Sequence, residues 1–155
     1  MFNKIIYQTA IQKAAKNNDI EVIYVLLLSE DKIHDKFFKD NTHLKQISIP
    51  SSVTSIEYSA FWRCSSLAQI SIPLSVTSIG DYAFNECRLL TQISIPSSVT
   101  SIGSCAFNEC SSLTQISIPS SVTSIEGNPF ASCPKLDQIT IVPLSEKRIE
   151  YIEDK

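Results

Sequence analysis

The amino-acid sequence predicts an α/β solenoid, a stack of similar coils that follows a helical N-terminal cap. Two observations predict it. Apolar residues and cysteines recur at a fixed step of 23 residues through most of the 155-residue chain. Before that repeat begins, apolar residues have the spacing of two amphipathic helices instead. The chain therefore divides into a cap (residues 1–43), a solenoid (44–141) and a charged C-terminal tail or cap (142–155).

The repeat itself has the form L-x-x-I-x-I-P-x-x-V-x-x-I-x-x-x-A-F-x-x-C-x-x. Four copies and a fifth strand run from Leu44 to Ile141. The most regular columns are Leu44, Leu67, Leu90, Leu113 and Leu136; Phe61, Phe84, Phe107 and Phe130; and Cys64, Cys87, Cys110 and Cys133. If the coils stack in register, each column must form one row through the core.

The spacing within one copy predicts a strand, a turn, a second strand and one short helical turn. Ile47-Ser48-Ile49 alternates apolar and polar residues, which is typical of a half-buried strand. Pro50 ends that strand because proline has no amide proton for a ladder. The branched residues of 53–56 favour the second strand, and the apolar positions of 60–64 have the spacing of a helical turn. One coil cannot offset the entropy of ordering its own residues, so its stability must come from stacking.

The proline after the strand and the stretch Ala83-Phe84-Asn85-Glu86-Cys87 resemble the BspA-like (treponeme-type) leucine-rich repeat. The resemblance implies a curved, right-handed leucine-rich repeat stack with a parallel β-sheet on its concave face. It also implies a protein-interaction or surface-adhesion module without enzymatic activity. The last copy departs from the pattern, because Gly127-Asn128-Pro129-Phe130 replaces x-x-Ala-Phe. The asparagine ladder of the commoner leucine-rich repeat is absent from the sequence.

Residues 9–28 resemble a single ankyrin repeat, which is a helix-turn-helix unit. Its turn is Asn17-Asn18-Asp19, where asparagine tolerates the left-handed conformation. An ordinary amphipathic helical hairpin is the alternative and has the same shape. Either hairpin should pack its apolar face on the first coil. Residues 31–39, which include Ile33, Phe37 and Phe38, are expected to add a connecting third helical piece.

The other end of the stack also needs closing, because an exposed last strand invites edge-to-edge pairing. Pro143 and the charged residues 146–155 fit that role, with Ile149 and Ile152 on the edge of the sheet. Poor closure at either end would permit weak self-association through the solenoid ends.

The predicted binding surface consists of the outward positions of the first strand in each coil. These positions form a Gln column and a Ser/Thr column: Gln46, Ser48, Gln69, Ser71, Gln92, Ser94, Gln115, Ser117, Gln138 and Thr140. A partner strand, an extended peptide or a glycan could hydrogen-bond to them. Alternatively, the columns bond to one another and keep the sheet soluble. Trp62 stands where other coils have Asn85, Asn108 and Ala131, so it is either an anchor for a partner or packs under the cap.

The cysteines are expected to be structural. A straight column of thiols does not converge on one metal ion, so the column is interpreted as small buried apolar side chains, although a disulfide between adjacent coils is sterically conceivable. Cys105 lies outside the column and is the candidate for a reactive thiol. His34 and His43 are expected to be solvated linker residues, and the acidic side chains to be solvating charges. No catalytic set, metal site or cofactor is expected.

Composition and charge exclude several classes of protein. The net charge of −3 argues against nucleic-acid binding. The longest apolar run, Val25–Leu28, is too short to span a membrane. An odd number of cysteines, mostly in one column, favours a cytoplasmic location over a secreted one, with the cell surface as the alternative. We therefore expect a non-enzymatic recognition module with a protein partner; the alternatives are an adhesin-like surface protein and a thiol-based sensor that uses Cys105.

Overall fold

The computed structural model describes residues 4–142, and this part of the chain is the predicted stack of parallel-stranded coils behind two helices. The helices are α1 (Lys4–Lys16) and α2 (Ile20–Leu27). The strands are β1 (Lys32–Ile33), β2 (Gln46–Ser48), β3 (Ser55–Ile56), β4 (Gln69–Ser71), β5 (Ser78–Ile79), β6 (Gln92–Ser94), β7 (Ser101–Ile102), β8 (Gln115–Pro119), β9 (Ser124–Ile125) and β10 (Gln138–Val142).

The strands form two faces of the stack. The short odd-numbered strands pair in the order β1-β3-β5-β7-β9 as one five-stranded sheet. The longer face consists of a two-stranded sheet, β2-β4, and a three-stranded sheet, β6-β8-β10. All pairs are parallel and join residues 23 positions apart, such as Gln46 with Gln69 and Ser55 with Ser78. The step read from the sequence is therefore the step of the structure.

The phenylalanine column forms one continuous row of stacked rings. It starts one coil earlier than expected, at Phe38, whose ring centroid lies 5.0 Å from that of Phe61. The following centroid distances are 5.1, 5.3 and 5.7 Å along Phe61, Phe84, Phe107 and Phe130, with interplanar angles of 6°, 7° and 13°. The rings of Phe38 to Phe107 are fully buried. Each stacked pair adds about 0.5–1.5 kcal/mol to the energy of burial, so the row is the spine of the core.

The expected third helical piece at residues 31–39 is wrong. Lys32–Ile33 form strand β1, which pairs with β3. Ile33 and Phe38 each lie 23 residues before their counterparts Ile56 and Phe61, so this segment is the second half of an additional coil. The first half of that coil is replaced by α2, which packs beside β2. The stacked structure therefore begins at β1 rather than at Leu44.

The short helical turn expected at residues 60–64 is also wrong. Ser59 and Arg63 have φ angles of 55° and 59°, which a right-handed helix does not contain. The backbone N–H of Ala60 donates within its own turn, to the Glu57 carbonyl, whereas the next N–H, of Phe61, donates to Ala83 in the following coil. In a helix these N–H groups would point along the helix axis and not toward a neighbouring coil. In these turns, every second backbone N–H donates instead to a carbonyl of the neighbouring coil.

The helical hairpin closes the N-terminal end of the stack, as expected. Asn18 has a φ of 53°, and Asp19 caps α2 by accepting a hydrogen bond from the Val22 N–H. Ile11 and Ile23 are fully buried. The Asn18 side-chain oxygen accepts from the Lys45 N–H at 2.8 Å, so the turn between the helices is fixed to the first full coil.

The expected closure by Pro143, Ile149 and Ile152 lies outside the described residues and stays a prediction. Within residues 4–142, the last two strands are poorly covered. Ile125 of β9 is 48% exposed, and Ile139 and Ile141 of β10 are 52% and 72% exposed.

Candidate functional site

A groove of about 430 Å³ lies on the longer face of the stack, over strands β2, β4 and β6. Ile20 of α2 forms one wall, so the hairpin borders this groove. The rest of the lining comes from the outward Gln and Ser side chains and the isoleucines between them: Gln46, Ile47, Ser48, Gln69, Ile70, Ser71, Gln92, Ile93 and Ser94. Six of the predicted binding residues therefore meet in one groove.

Strand alternation positions these side chains. Ile47, Ile93 and Ile116 point inward and are only 2%, 5% and 2% exposed. The residues on either side of them point outward, and all ten predicted Gln, Ser and Thr side chains are exposed. Because the strands pair in register, the glutamines form one column and the hydroxyl residues a second. Members of a column are separated by about 4.8 Å, the spacing of paired strands.

The hydrogen-bonding groups of the two columns are unused. Among the described residues, no hydrogen bond joins the Gln amides or the outward hydroxyls to one another or to the rest of the chain. Serines elsewhere behave differently: Ser75 and Ser98 donate to the Val53 and Val76 carbonyls of the preceding coil, both at 2.6 Å. The interpretation as self-bonded ladders thus does not describe this geometry. The columns present these donors and acceptors at the surface of the groove.

The groove is electrically neutral, because none of its lining residues is charged. This distinguishes it from the turn side of the stack, where Arg63, Glu86 and Arg88 come together. The Glu86 carboxylate accepts from Arg63 Nε at 3.0 Å and from Arg88 Nη2 at 2.8 Å. Burial raises the pKa of Glu86, but the hydrogen bonds from Arg63 and Trp62 and the two guanidinium charges outweigh it, so its pKa lies below the ordinary value.

Trp62 lies on the turn side and does not line the groove. It is half-buried and donates from Nε1 to Glu86 at 3.3 Å. Lys39 Nζ lies 4.4 Å from the centroid of its ring, and Tyr82 packs at 6.2 Å. Trp62 therefore joins the additional coil to the two that follow, and its ring contacts the 31–43 segment rather than the helical hairpin.

The cluster of Arg63, Glu86 and Arg88 was not predicted from the sequence, because the acidic residues were interpreted as scattered solvating charges. The signal was available: Lys39 and Trp62 occupy one repeat position in successive coils, and Arg63 and Glu86 occupy the next. Applying the 23-residue step to polar positions as well as to apolar ones predicts both contacts.

The cysteine column is structural. Each thiol donates to the phenylalanine carbonyl of the preceding coil, as Cys64 does to Phe38 and Cys87 to Phe61, at 3.1 and 3.2 Å. Cys110 and Cys133 repeat the contact with Phe84 and Phe107. Burial raises the pKa of Cys64 to about 12, and it also raises that of Cys87, Cys110 and Cys133. All five cysteines are free thiols, so the conceivable disulfide between coils is not formed.

Cys105 lies outside the column and is partly exposed. The Ser104 hydroxyl is 3.8 Å from its sulfur. His34 is paired with Glu30, with 2.8 Å between Nε2 and Oε2, and His43 lies beside Thr42; neither is close to Cys105. Within residues 4–142 no group of three or more His, Cys, Asp or Glu side chains could hold a metal ion.

The regular coil has a direct counterpart among known families. The model of the BspA type leucine-rich repeat region matches residues 31–153, with six copies. The chain belongs to this family. The match begins at residue 31, in agreement with the additional coil that starts at β1.

Solved structures of other leucine-rich repeat proteins have a similar fold. A leucine-rich repeat protein from Bacteroides ovatus is 37% identical, with a TM-score of 0.66 over 69% of this chain and 28% of its own. A leucine-rich cell surface protein from Faecalibacterium prausnitzii is 30% identical, with a TM-score of 0.66 over 76% and 31%. The leucine-rich repeat protein of T. pallidum is 28% identical, with a TM-score of 0.64 over 71% and 62%.

This chain thus spans less than a third of the B. ovatus and F. prausnitzii proteins that it matches. No protein of curated function matches it significantly. Between residues 4 and 142, no helix has the length and apolar character needed to cross a bilayer.

Proposed function

We propose that this chain is a protein-interaction module that binds a polypeptide partner through the Gln and Ser/Thr columns of the longer face, β2-β4 and β6-β8-β10, which we assign as the concave face of the stack. The observation that carries the proposal is the set of ten exposed polar side chains whose hydrogen-bonding groups are unused within the described chain. Membership of a leucine-rich repeat family supports it, since stacked repeats of this kind provide extended concave binding surfaces.

The chemistry of the groove favours a polypeptide. A Gln amide offers one acceptor and two donors, and a hydroxyl offers both, so the columns match the alternating N–H and C=O groups of a main chain. The neutral lining makes association depend on hydrogen bonds and shape rather than on charge. A glycan would use the same groups. A glycan-binding site normally also contains an aromatic side chain on which a sugar ring stacks. The lining residues of this groove include no aromatic side chain.

Affinity capture from native extract with matched arginine variants tests the proposal. Gln92→Arg with Gln115→Arg places two bulky charges on the concave face and should abolish capture of the partner. Thr100→Arg with Thr123→Arg changes exposed residues of the same two coils on the five-stranded face and should leave capture intact. Equal capture by the two double variants would remove the concave face from consideration.

A surface adhesin is the alternative function, and one observation favours it. The F. prausnitzii relative is a cell surface protein by name. For this chain we propose a cytoplasmic location instead, because all five cysteines are free thiols. Labelling of intact cells with a membrane-impermeant reagent separates the two. Labelled chain supports the adhesin, and protection from the reagent supports the interior location.

We propose no catalytic activity for this chain. The fold is of a kind that generally serves as a binding scaffold. A thiol-based sensor is a second alternative, favoured only by the partly exposed Cys105. It requires a thiol that reacts faster than free cysteine, which alkylation of the native chain measures directly.

Weak self-association through the solenoid ends is a further part of the proposal. The hairpin covers the first end, whereas Ile125, Ile139 and Ile141 are exposed at the last described coil. Sedimentation at increasing protein concentration should show dimers that Ile141→Lys removes. A monomer at all concentrations would contradict this part alone.

A further inference from the structure

The concave sheet is interrupted between β4 and β6. These strands lie side by side, yet they share no ladder, whereas β2 pairs with β4, and β8 pairs with both β6 and β10. The backbone hydrogen bonds of the residue just before each strand are interrupted at the same boundary. The N–H groups of Ala68 and Thr114 donate to the preceding coil, to Lys45 and Thr91, at 2.8 and 3.1 Å. No such bond joins Thr91 to Ala68 among the described residues.

The other sides of the same two coils remain tightly joined. β5 pairs with β7, and the Thr100 N–H donates to the Thr77 carbonyl at 2.8 Å. On the turn side, the Phe84 N–H donates to Ala106 at 2.7 Å. The Phe84 and Phe107 rings stack at 5.3 Å. Among the described residues, the two coils therefore lack backbone pairing on this side only, which is the geometry of a hinge.

Burial of the isoleucines identifies the same boundary independently. Ile47 and Ile93 are 2% and 5% exposed, and Ile49 and Ile95 are 5% and 7% exposed. Their counterparts Ile70 and Ile72, on β4 and just after it, are only partly buried. The groove over β2, β4 and β6 crosses this boundary.

We propose that the boundary between β4 and β6 is a hinge, about which the segment β2-β4 and the segment β6-β8-β10 change the curvature of the concave face. The assignment of this motion to partner binding rests on the proposed function; the hinge itself does not. Because no strand pairing has to be broken at this boundary, opening the face there costs little free energy. The five-stranded sheet and the phenylalanine row hold the two segments together as the face opens.

Amide hydrogen exchange of the free, full-length chain, followed by NMR, tests the hinge. By the alternation of a parallel ladder, the N–H groups of Gln92 and Ser94 face β4, and those of Gln115 and Ser117 face β6. Both pairs lie in the same sequence, L-T-Q-I-S-I-P, so their intrinsic rates match. We expect exchange at Gln92 and Ser94 to be at least about 100-fold faster. Equal rates in the two pairs would overturn the hinge.

The outcomes also separate the hinge from the proposed function. Fast exchange at Gln92 and Ser94 in a chain that captures no partner refutes the proposed function and leaves the hinge established. Capture by a chain whose two amide pairs exchange equally refutes the hinge and leaves the binding face established.

Discussion

Replacement of Phe84 by alanine tests the middle of the phenylalanine row. The ring is fully buried between Phe61 and Phe107, with centroids 5.1 and 5.3 Å away. Removing it leaves a cavity between two rings that the flanking coils hold in place, because backbone hydrogen bonds of 2.7 Å on both sides prevent collapse. We expect a loss of about 3–5 kcal/mol in the free energy of unfolding. That is a large part of the roughly 5–15 kcal/mol typical of a domain.

Phe130 is the matched control, because its ring stands at the end of the row. It is only partly buried and stacks on a single neighbour, Phe107, at 5.7 Å. Phe130→Ala should cost about half as much as Phe84→Ala. Urea denaturation followed by circular dichroism gives both values from the midpoint and slope. Equal losses in the two variants would refute the inference that stability comes from stacking between coils.

Three further predictions follow from the buried and charged residues. In the native chain near neutral pH, Cys105 should be alkylated before the three buried thiols Cys64, Cys87 and Cys110, which should react only on unfolding because burial raises their pKa. Mass spectrometry of the labelled peptides measures this order, and early labelling of Cys87 would contradict it. The pKa of Glu86 is lowered in the fold, so wild type should exceed Glu86→Gln in stability above the ordinary carboxyl pKa, by less than about 1 kcal/mol. That advantage should vanish as the pH falls through the lowered pKa. An advantage that does not shrink as urea melts are moved to progressively lower pH would refute the ion pair. Gly103→Ala should lower the free energy of unfolding by about 1–3 kcal/mol, because a Cβ there would lie 2.5 Å from the Asp81 backbone nitrogen. An unchanged urea midpoint would contradict this and show that the neighbouring coil moves aside without cost.

The stack was predictable because each rung repeats the same side chains. Ile47 and Phe61 recur at one step, so their rows in the core follow from the sequence once the coils are assumed to stack. The outward direction of Gln46 and Ser48 follows from strand alternation in the same way.

The additional coil was missed because α2 replaces its first strand, so the leucine and proline that mark the other copies are absent there. The turns were read as helical because spacing alone does not reveal a φ of 55° at Ser59 or a donor used between coils. The interruption between β4 and β6 was not predictable, because both strands have the sequence Gln-Ile-Ser, which is also the sequence of β2, a strand that does pair with β4.

The most direct test of the central claim, that the polar columns of the concave face contact a polypeptide partner, is site-specific photo-cross-linking in native extract. A benzophenone side chain is introduced at Gln92, in the groove, or at Thr100, on the five-stranded face of the same coil. The account predicts a discrete cross-linked polypeptide from Gln92 and none from Thr100. The same products from both positions, or products from Thr100 alone, would contradict it.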